Sequence, residues 1–548
     1  MTQYTFTILD TTGIQNYIFN SNRLRENIGA SQLVKEVTSD WVKETLEKLG
    51  VPRSRQHEAI EHSNLPAELI YASGGNAQII FREHETAIQF TRCLSRRVLR
   101  EARGIQLLAA HKTFDWQHDR LCDVVEGVIK NELDHYKQTR IPSSPLLGLG
   151  VTVSCNSTQF PAIGMSKDYR QPDDETDDAP YPISQEILLK RQAAERAQSA
   201  LTDLFKSKKQ DRSEIPDYLV FPRQLDHIGR TEHESSYIAI VHADGNGMGN
   251  RFQEYGKSAQ NNRDYIDRMR DFSEKVDAAG KASLRKVLEK LTDAIDRETR
   301  TLYGQFDKFE LKSASKSNSS QYFLPFRPLV YGGDDVTFIC DGRVGIELAV
   351  AYLKAFEAQS DTMPDGKKLT ACAGVCLVKT HYPFARAYEL SKDLCDSGKA
   401  LLTALLRQEK LEGSAIDWHI ANTGLFGRLS RIREREYHVS PGQLNVRPLL
   451  LQASGKWRTW EAFSPVLQAF HGDDWQEKRN KVMALREVLT KGTDDTKQFL
   501  LNYRQGELPR FKSQTGNEDD LANQGWVNDV CGYFDAIEAM DFYLGLGE

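Results

Sequence analysis

Two carboxylates stand side by side in Tyr331-Gly332-Gly333-Asp334-Asp335-Val336-Thr337-Phe338-Ile339-Cys340, on a glycine turn between apolar runs. A third, Asp244, closes the run Tyr237-Ile238-Ala239-Ile240-Val241-His242-Ala243 and is followed by Gly245-Asn246-Gly247-Met248-Gly249. Ionised Asp side chains at the mouth of a buried hairpin repel one another and lose hydration, and a bound divalent cation removes both costs. Asp244, Asp334 and Asp335 are therefore the candidate metal ligands and catalytic residues. Gly332 and Gly333 leave room for a triphosphate to approach the backbone. Gly245, Asn246 and Gly247 free backbone N–H groups for phosphate oxygens. Taken alone, the decapeptide also fits a plain surface turn; the upstream carboxylate tips the reading towards metal and phosphate chemistry.

Those residues need a hairpin and a neighbouring strand to hold them. Leu329-Val330 and Val336 to Ile339 are β-branched or aromatic and bounded by glycine, which predicts a buried hairpin, and Tyr237 to Asp244 predicts a strand with its carboxylate at the C-terminal end. The same unit occurs twice. In the first copy Tyr4 to Leu9 is a strand ending in Asp10, Leu69 to Phe81 a hairpin turning at Gly74-Gly75-Asn76, and Gly104 to His111 a later strand. In the second, Asp244, Gly332-Gly333-Asp334 and Leu369 to Lys379 take those places, and the helix Thr86 to Arg103 matches Val344 to Gln359. This alignment sets Asn76-Ala77 against Asp334-Asp335. An amide and a methyl cannot replace anionic oxygen ligands, so the first copy is expected to hold one nucleotide while the second activates another.

A strand-end Asp beside an acidic hairpin is the arrangement of palm-type polymerases and nucleotide cyclases. These hold two Mg²⁺ ions, one lowering the pKa of the attacking hydroxyl and the other steadying pyrophosphate. The run Arg327-Pro328-Leu329-Val330-Tyr331-Gly332-Gly333-Asp334-Asp335-Val336, with Ala243 to Gly249, resembles the second palm domain of the large subunit of type III CRISPR effector complexes, a family that carries a cyclic oligoadenylate synthase. Gly13-Ile14-Gln15-Asn16-Tyr17-Ile18-Phe19 and Leu24 to Ser31 resemble its first palm. The hairpin is also similar to that of GGDEF diguanylate cyclases, with Asp335-Val336 in place of the final Glu-Phe.

The resemblance implies an α+β fold with two ferredoxin-like palm domains. Expected domains are a degenerate palm at 1–115, a helical connecting region at 116–235, a catalytic palm at 236–410 and a helical C-terminal domain at 411–548. It implies a nucleotidyltransferase that uses Mg²⁺ or Mn²⁺ and NTPs, ATP first among them, releasing pyrophosphate. The product would be a cyclic nucleotide or oligonucleotide signal for prokaryotic antiviral defence, read by a separate effector; RNA and CRISPR-type effector subunits are the implied partners. Lys399, on a helix predicted over Pro383 to Arg407, matches the lysine that reaches the triphosphate in related cyclases, with Lys392 and Lys379 behind it. Asn246 departs from the family, many members of which carry an Asp there. Cys155 stands alone where a zinc module would cluster cysteines, so no zinc is expected. The HD nuclease of many members is not expected either, the single His-Asp dipeptide being His118-Asp119.

With 548 residues, several domains are expected, and a net charge of -6 argues against a surface that is wholly a nucleic-acid sleeve. Eight scattered cysteines without Cys-x-x-Cys fit reduced thiols. No apolar run approaches a membrane span, so the expected setting is cytoplasmic. Asp173 to Asp178 reads as a solvated loop, Ser184 to Lys206 as a helix, Arg263 to Tyr303 as a long helix, and Lys312 to Ser320 as a surface loop or lid. Arg431, Arg433, Arg435 and Arg447 make the most basic stretch, a candidate docking face for RNA or protein. Two other readings remain: an RNA-binding or nucleotide-sensing scaffold with a palm that no longer turns over, and a template-directed polymerase, which needs a long basic cleft that the acidic composition does not favour.

Overall fold

The β-branched runs assemble two sheets on one plan in the computed structural model, which describes residues 3–140, 150–169, 179–205, 215–228, 236–314, 320–421, 427–453, 455–472, 475, 479–503 and 506–547. In the first sheet β1 (Gln3–Thr12), β2 (Ala67–Ser73), β3 (Asn76–Phe81) and β4 (Gln106–Asp115) lie in the order β2-β3-β1-β4, with every neighbour antiparallel. That is the ferredoxin-like order, and α1 (His84–Glu101) makes its second crossover. In the second sheet β5 (Tyr237–Gly245), β6 (Phe326–Gly332), β7 (Asp335–Asp341) and β8 (Ala371–Lys379) repeat it as β6-β7-β5-β8. α2 (Met248–Lys257), α3 (Asn262–Asp293), α4 (Gly345–Glu357) and α5 (Phe384–Glu409) complete that half of the chain. The α+β class and the twin ferredoxin-like plan are thus as the sequence implied.

Strand pairing corrects the alignment of the two copies by one residue. Asp10 faces Asn76 across β1 and β3 as Asp244 faces Asp335 across β5 and β7. Asn76 therefore occupies the place of Asp335, and Gly75 that of Asp334, rather than Asn76-Ala77 standing for the two carboxylates. The turn explains the shift: Ser73 pairs with Asn76 and Gly332 with Asp335, so a two-residue loop closes each hairpin. Both hairpins also carry a register irregularity at the same depth, between Leu69 and Tyr71 and between Pro328 and Val330. Pro328 is tolerated because it lies at that bulge on an edge strand, where its missing N–H breaks no ladder bond.

Other boundaries also move. The long helix ends at Asp293 instead of Tyr303, because Thr301–Tyr303 pairs with Lys308–Glu310 as a small hairpin. The second sheet does not stop near residue 410. β9 (Ala415–Ile420) joins β8 in parallel, and β10 (Leu449–Leu450) pairs with β9, so Asp417-Trp418-His419 belong to the sheet rather than to a helical C-terminal region. By contacts the chain divides into residues 1–210, 247–278 and 362–367, and residues 211–246, 279–361 and 368–548. Residues 247–278 cluster with the first copy because Tyr265, Ile266 and Met269 are buried among Tyr4, Phe6, Ile80 and Phe114. Arg263 and Arg270 both reach the fully buried Glu68 on β2, which offsets the cost of burying that charge. Asp173 to Asp178 and residues 315–319 of the serine-rich tract lie outside the described residues. No helix among the described residues is long and apolar enough to cross a membrane.

The second sheet is covered on both faces, as the unbroken burial of β8 from Ala371 to Val378 shows. Its small residues let α5 settle directly on the strand. A Cβ added at Gly374 would lie 1.9 Å from the Ser391 carbonyl oxygen and 2.5 Å from the Cys395 backbone nitrogen, both on α5. Neither backbone atom can move without the helix. Gly374→Ala is expected to destabilise the protein by about 1–3 kcal/mol, the usual range for overpacking. Urea unfolding checks this, and a midpoint unchanged from wild type would show that α5 is not seated by this contact.

Candidate active site

The three carboxylates converge because two strands and one turn place them there. Asp335 opens β7 directly opposite Asp244 at the end of β5, and Asp334 occupies the hairpin corner between Gly333 and Asp335. Gly332 (φ 154°) and Gly333 (φ 74°) adopt backbone angles that side chains resist, so the corner depends on glycine. The backbone N–H of Gly245 donates to the Asp334 carbonyl at 3.2 Å and ties the corner to the end of β5. Gly247, left-handed at φ 65°, opens α2; Gly13 does the same at φ 68° before the helix Ile14–Phe19 of the first copy.

Lys399 on α5 donates from Nζ to Asp244 Oδ2. Burial opposes its charge, yet the Asp244 carboxylate holds the ammonium above its ordinary range. Lys392 instead pairs with Asp396, and Lys379 ends β8 exposed, so Lys399 is the lysine that the fold brings to the carboxylates. One cation does not balance three carboxylates. Burial, and then the charge of Asp244, push Asp334 and Asp335 each up to about 7. Asp335 has two unlike sides: its side chain keeps 43% of its surface open, whereas Oδ1 is buried and makes no hydrogen bond among the described residues.

Asn246 does not face the phosphate region as expected. Its side-chain amide donates to Thr370 Oγ1 at 3.1 Å and to the Gly413 carbonyl at 3.2 Å, and its backbone N–H donates to the Thr370 carbonyl. An ionised Asp at this position has no proton to give to that carbonyl, so the departure from the family follows from local bonding.

Three residues at the site escaped sequence reasoning. His242, buried on β5, lies with Nδ1 3.2 Å from Thr337 Oγ1 and 3.4 Å from Asp335 Oδ1, and burial pushes its pKa down to about 4, so the ring is neutral. It is the one ring nitrogen bearer in an otherwise apolar run and sits two residues before Asp244, on the same strand face. That period was the available signal. Tyr388 on α5 packs edge-on against His242 with centroids 5.6 Å apart. Tyr352 on α4 is fully buried with its hydroxyl unpartnered among the described residues, and burial together with the charges of Asp334 and Asp335 raises its pKa. Neither tyrosine carried a local signal, since both depend on helix placement.

Other residues that the sequence singles out are engaged in bonds of their own. His118 is exposed and bonds Asp115 at 2.9 Å rather than joining Asp119 as a ligand pair. In the basic stretch, Arg433 is drawn to the buried Asp417, and Arg447 is buried against Asp535 at 3.3 Å, so two of the four arginines serve the interior instead of a docking face. Asp10 of the first copy is held by Lys137 at 2.8 Å.

The hard oxygen donors of Asp244, Asp334 and Asp335, with an orphaned buried oxygen and two carboxyls pushed towards neutrality, suit Mg²⁺ or Mn²⁺. Among the described residues no three such side chains are closed around a point as a ready metal cage, and Lys399 supplies the positive charge at Asp244.

An acidic hairpin beside a strand-end Asp on a ferredoxin-like sheet defines a palm domain. Residues 237–401 match the family model of the Cas10/Cmr2 second palm domain. The chain is similar to Csm1 of T. onnurineus at 14% identity and a TM-score of 0.53, covering 99% of this chain and 69% of that one. It is similar to the Csm1–Csm4 cassette solved with pppApApA at 13% identity and TM-score 0.53, covering 98% and 70%. For the same cassette with AMPPNP the values are 15%, 0.50, 99% and 70%. At these identities the likeness is one of fold. No curated protein matches the sequence. The resemblance to the large-subunit family is borne out by the matched palm segment and by a fold likeness that spans the chain.

Raised carboxyls carry a sign. Because Asp334 and Asp335 bind protons more tightly folded than unfolded, their contribution to stability is complete below the unfolded carboxylate range and is lost as pH rises through about 7. In chelator, wild type is expected to lose stability relative to Asp334→Asn/Asp335→Asn between about pH 5 and about pH 8, and added Mg²⁺ should restore it at the higher pH in wild type alone. Urea unfolding of both proteins tests this; parallel pH profiles would contradict it.

Proposed function

We propose that the protein is a metal-dependent nucleotidyltransferase that joins NTPs, ATP foremost, into a cyclic oligonucleotide signal. The observation that carries the proposal is the direct cross-strand pairing of Asp244 with Asp335, with Asp334 at the adjoining corner and Lys399 reaching Asp244. Cas10/Cmr2 palm likeness and solved neighbours bound to AMPPNP and pppApApA support the substrate class.

Asp244, Asp334 and Asp335 would hold the ions. Bound there, a divalent cation supplies Lewis-acid activation of a ribose hydroxyl and neutralises the pyrophosphate that leaves. In the reaction the hydroxyl oxygen bonds to an α-phosphorus as the bridge to the β-phosphate breaks, and the hydroxyl proton is released. Gly332 and Gly333 allow backbone approach, and the N–H of Gly247 is left for the phosphates, that of Gly245 being given to the Asp334 carbonyl. Asn246 orders the loop rather than touching nucleotide. Lys399 exchanges Asp244 for the incoming polyphosphate. The first palm, with Asn76 at the place of Asp335, is assigned no metal chemistry. A Csm4-type subunit is the partner class that the neighbours support, and a separate effector would read the product.

Incubation with all four NTPs and Mg²⁺ or Mn²⁺, followed by mass spectrometry, tests the activity. Products should fall at least about 10²- to 10³-fold in Asp334→Ala/Asp335→Ala, the scale for losing a strong electrostatic stabiliser. Equal turnover in the variant would move the chemistry elsewhere, and no turnover in wild type, with RNA and partner subunits supplied, would favour the nucleotide-sensing scaffold. Lys399→Met is expected to raise KM for NTP about tenfold with less effect on kcat; a change confined to kcat would remove Lys399 from substrate binding.

A further inference from the structure

Beneath the carboxylates lies a buried histidine whose counterpart in the first palm is aliphatic. His242 and Thr337 face each other across β5 and β7, and both are buried. The paired positions of the first copy, fixed by the same register, hold Ile8 and Gln78. An imidazole in an otherwise apolar strand costs desolvation unless it is used. Its Nδ1 sits 3.2 Å from Thr337 Oγ1 and 3.4 Å from Asp335 Oδ1. Tyr388 lies beside the histidine, with its hydroxyl sharing a hydrogen bond with Thr337 and its ring against the imidazole. An ionised carboxylate oxygen only accepts, so a hydrogen bond from the ring to Oδ1 requires the hydrogen on Nδ1. That oxygen makes no hydrogen bond among the described residues, to the imidazole or to anything else.

We propose that His242 is a positioning residue: its Nδ1, 3.4 Å from the buried Oδ1 of Asp335, closes on that oxygen when a divalent cation takes the outer one. The inference rests on the proposed metal role of Asp335. It explains why the histidine accompanies the copy with three carboxylates, while the copy with Asn76 carries an aliphatic residue in its place. A ligand carboxylate steadied from behind loses less freedom on binding an ion and keeps its orientation when the ion changes partners.

Direct Mn²⁺ binding to the full chain without nucleotide, followed by electron paramagnetic resonance, separates the outcomes. Wild type should bind Mn²⁺, and Asp335→Asn should lose it. His242→Ile, which installs the first palm's residue, should weaken binding about 10- to 100-fold, the range for losing an outer-shell partner. His242→Asn places an amide N–H near the imidazole Nδ1 position and should recover most of that loss. His242→Gln, which moves the donor by one carbon, should remain weak and serves the same end if the isoleucine variant does not fold. Wild-type affinity in His242→Ile or His242→Gln overturns the role of His242 while leaving the metal site intact. Equal weakening in His242→Asn overturns the hydrogen-bond basis and leaves only packing. Mn²⁺ binding that is absent from wild type, or unaffected by Asp335→Asn, overturns the metal reading itself and this inference with it.

Discussion

Three negative charges meeting at one corner of a buried sheet are the constraint that organises this protein. The backbone ladder sets Asp244 opposite Asp335, and the turn adds Asp334, so repulsion is fixed by hydrogen-bonded geometry that cannot relax without breaking strands. Each surrounding feature answers that charge. Lys399 neutralises one carboxylate, burial moves the others towards protonation, and the neutral ring of His242 lies beside Asp335. A site of this kind is held ready for positive charge at the expense of local stability.

The two palms provide an internal comparison of what such a site requires. They share strand order, the hairpin irregularity, a strand-end Asp and the left-handed glycine after it. They differ where charge is concentrated: Asn76 for Asp335, Gly75 for Asp334 and Ile8 for His242. In the first copy one lysine, Lys137, suffices for one carboxylate. The architecture is therefore indifferent to the chemistry, and a handful of side chains at fixed register positions distinguish the halves.

Much of this was legible in the sequence because it is local. The carboxylate pair, the glycine corner, the strand before Asp244 and the repeat all appear as short-range patterns, and the strands follow them. What the sequence concealed depends on register and on long-range packing. A two-residue loop decides whether Asn76 matches the first or the second Asp, and residue spacing in the hairpins alone does not state the loop length. The amide of Asn246 looked available for phosphate because its acceptors, Thr370 and Gly413, lie more than a hundred residues away in sequence. Arg447 looked like surface charge because nothing near it in sequence announces Asp535.

Continuation of the second sheet into β9 and β10 has a practical side. The palm segment defined by sequence similarity ends at residue 401, inside α5, yet the outer side of β8 is hydrogen-bonded to β9 from Cys372 to Leu377. A fragment cut at that limit would bare a row of backbone donors and acceptors flanked by buried, uncharged side chains, the kind of open edge on which chains stack into aggregates. The sheet that closes this edge is consequently longer than the unit that sequence similarity recognises.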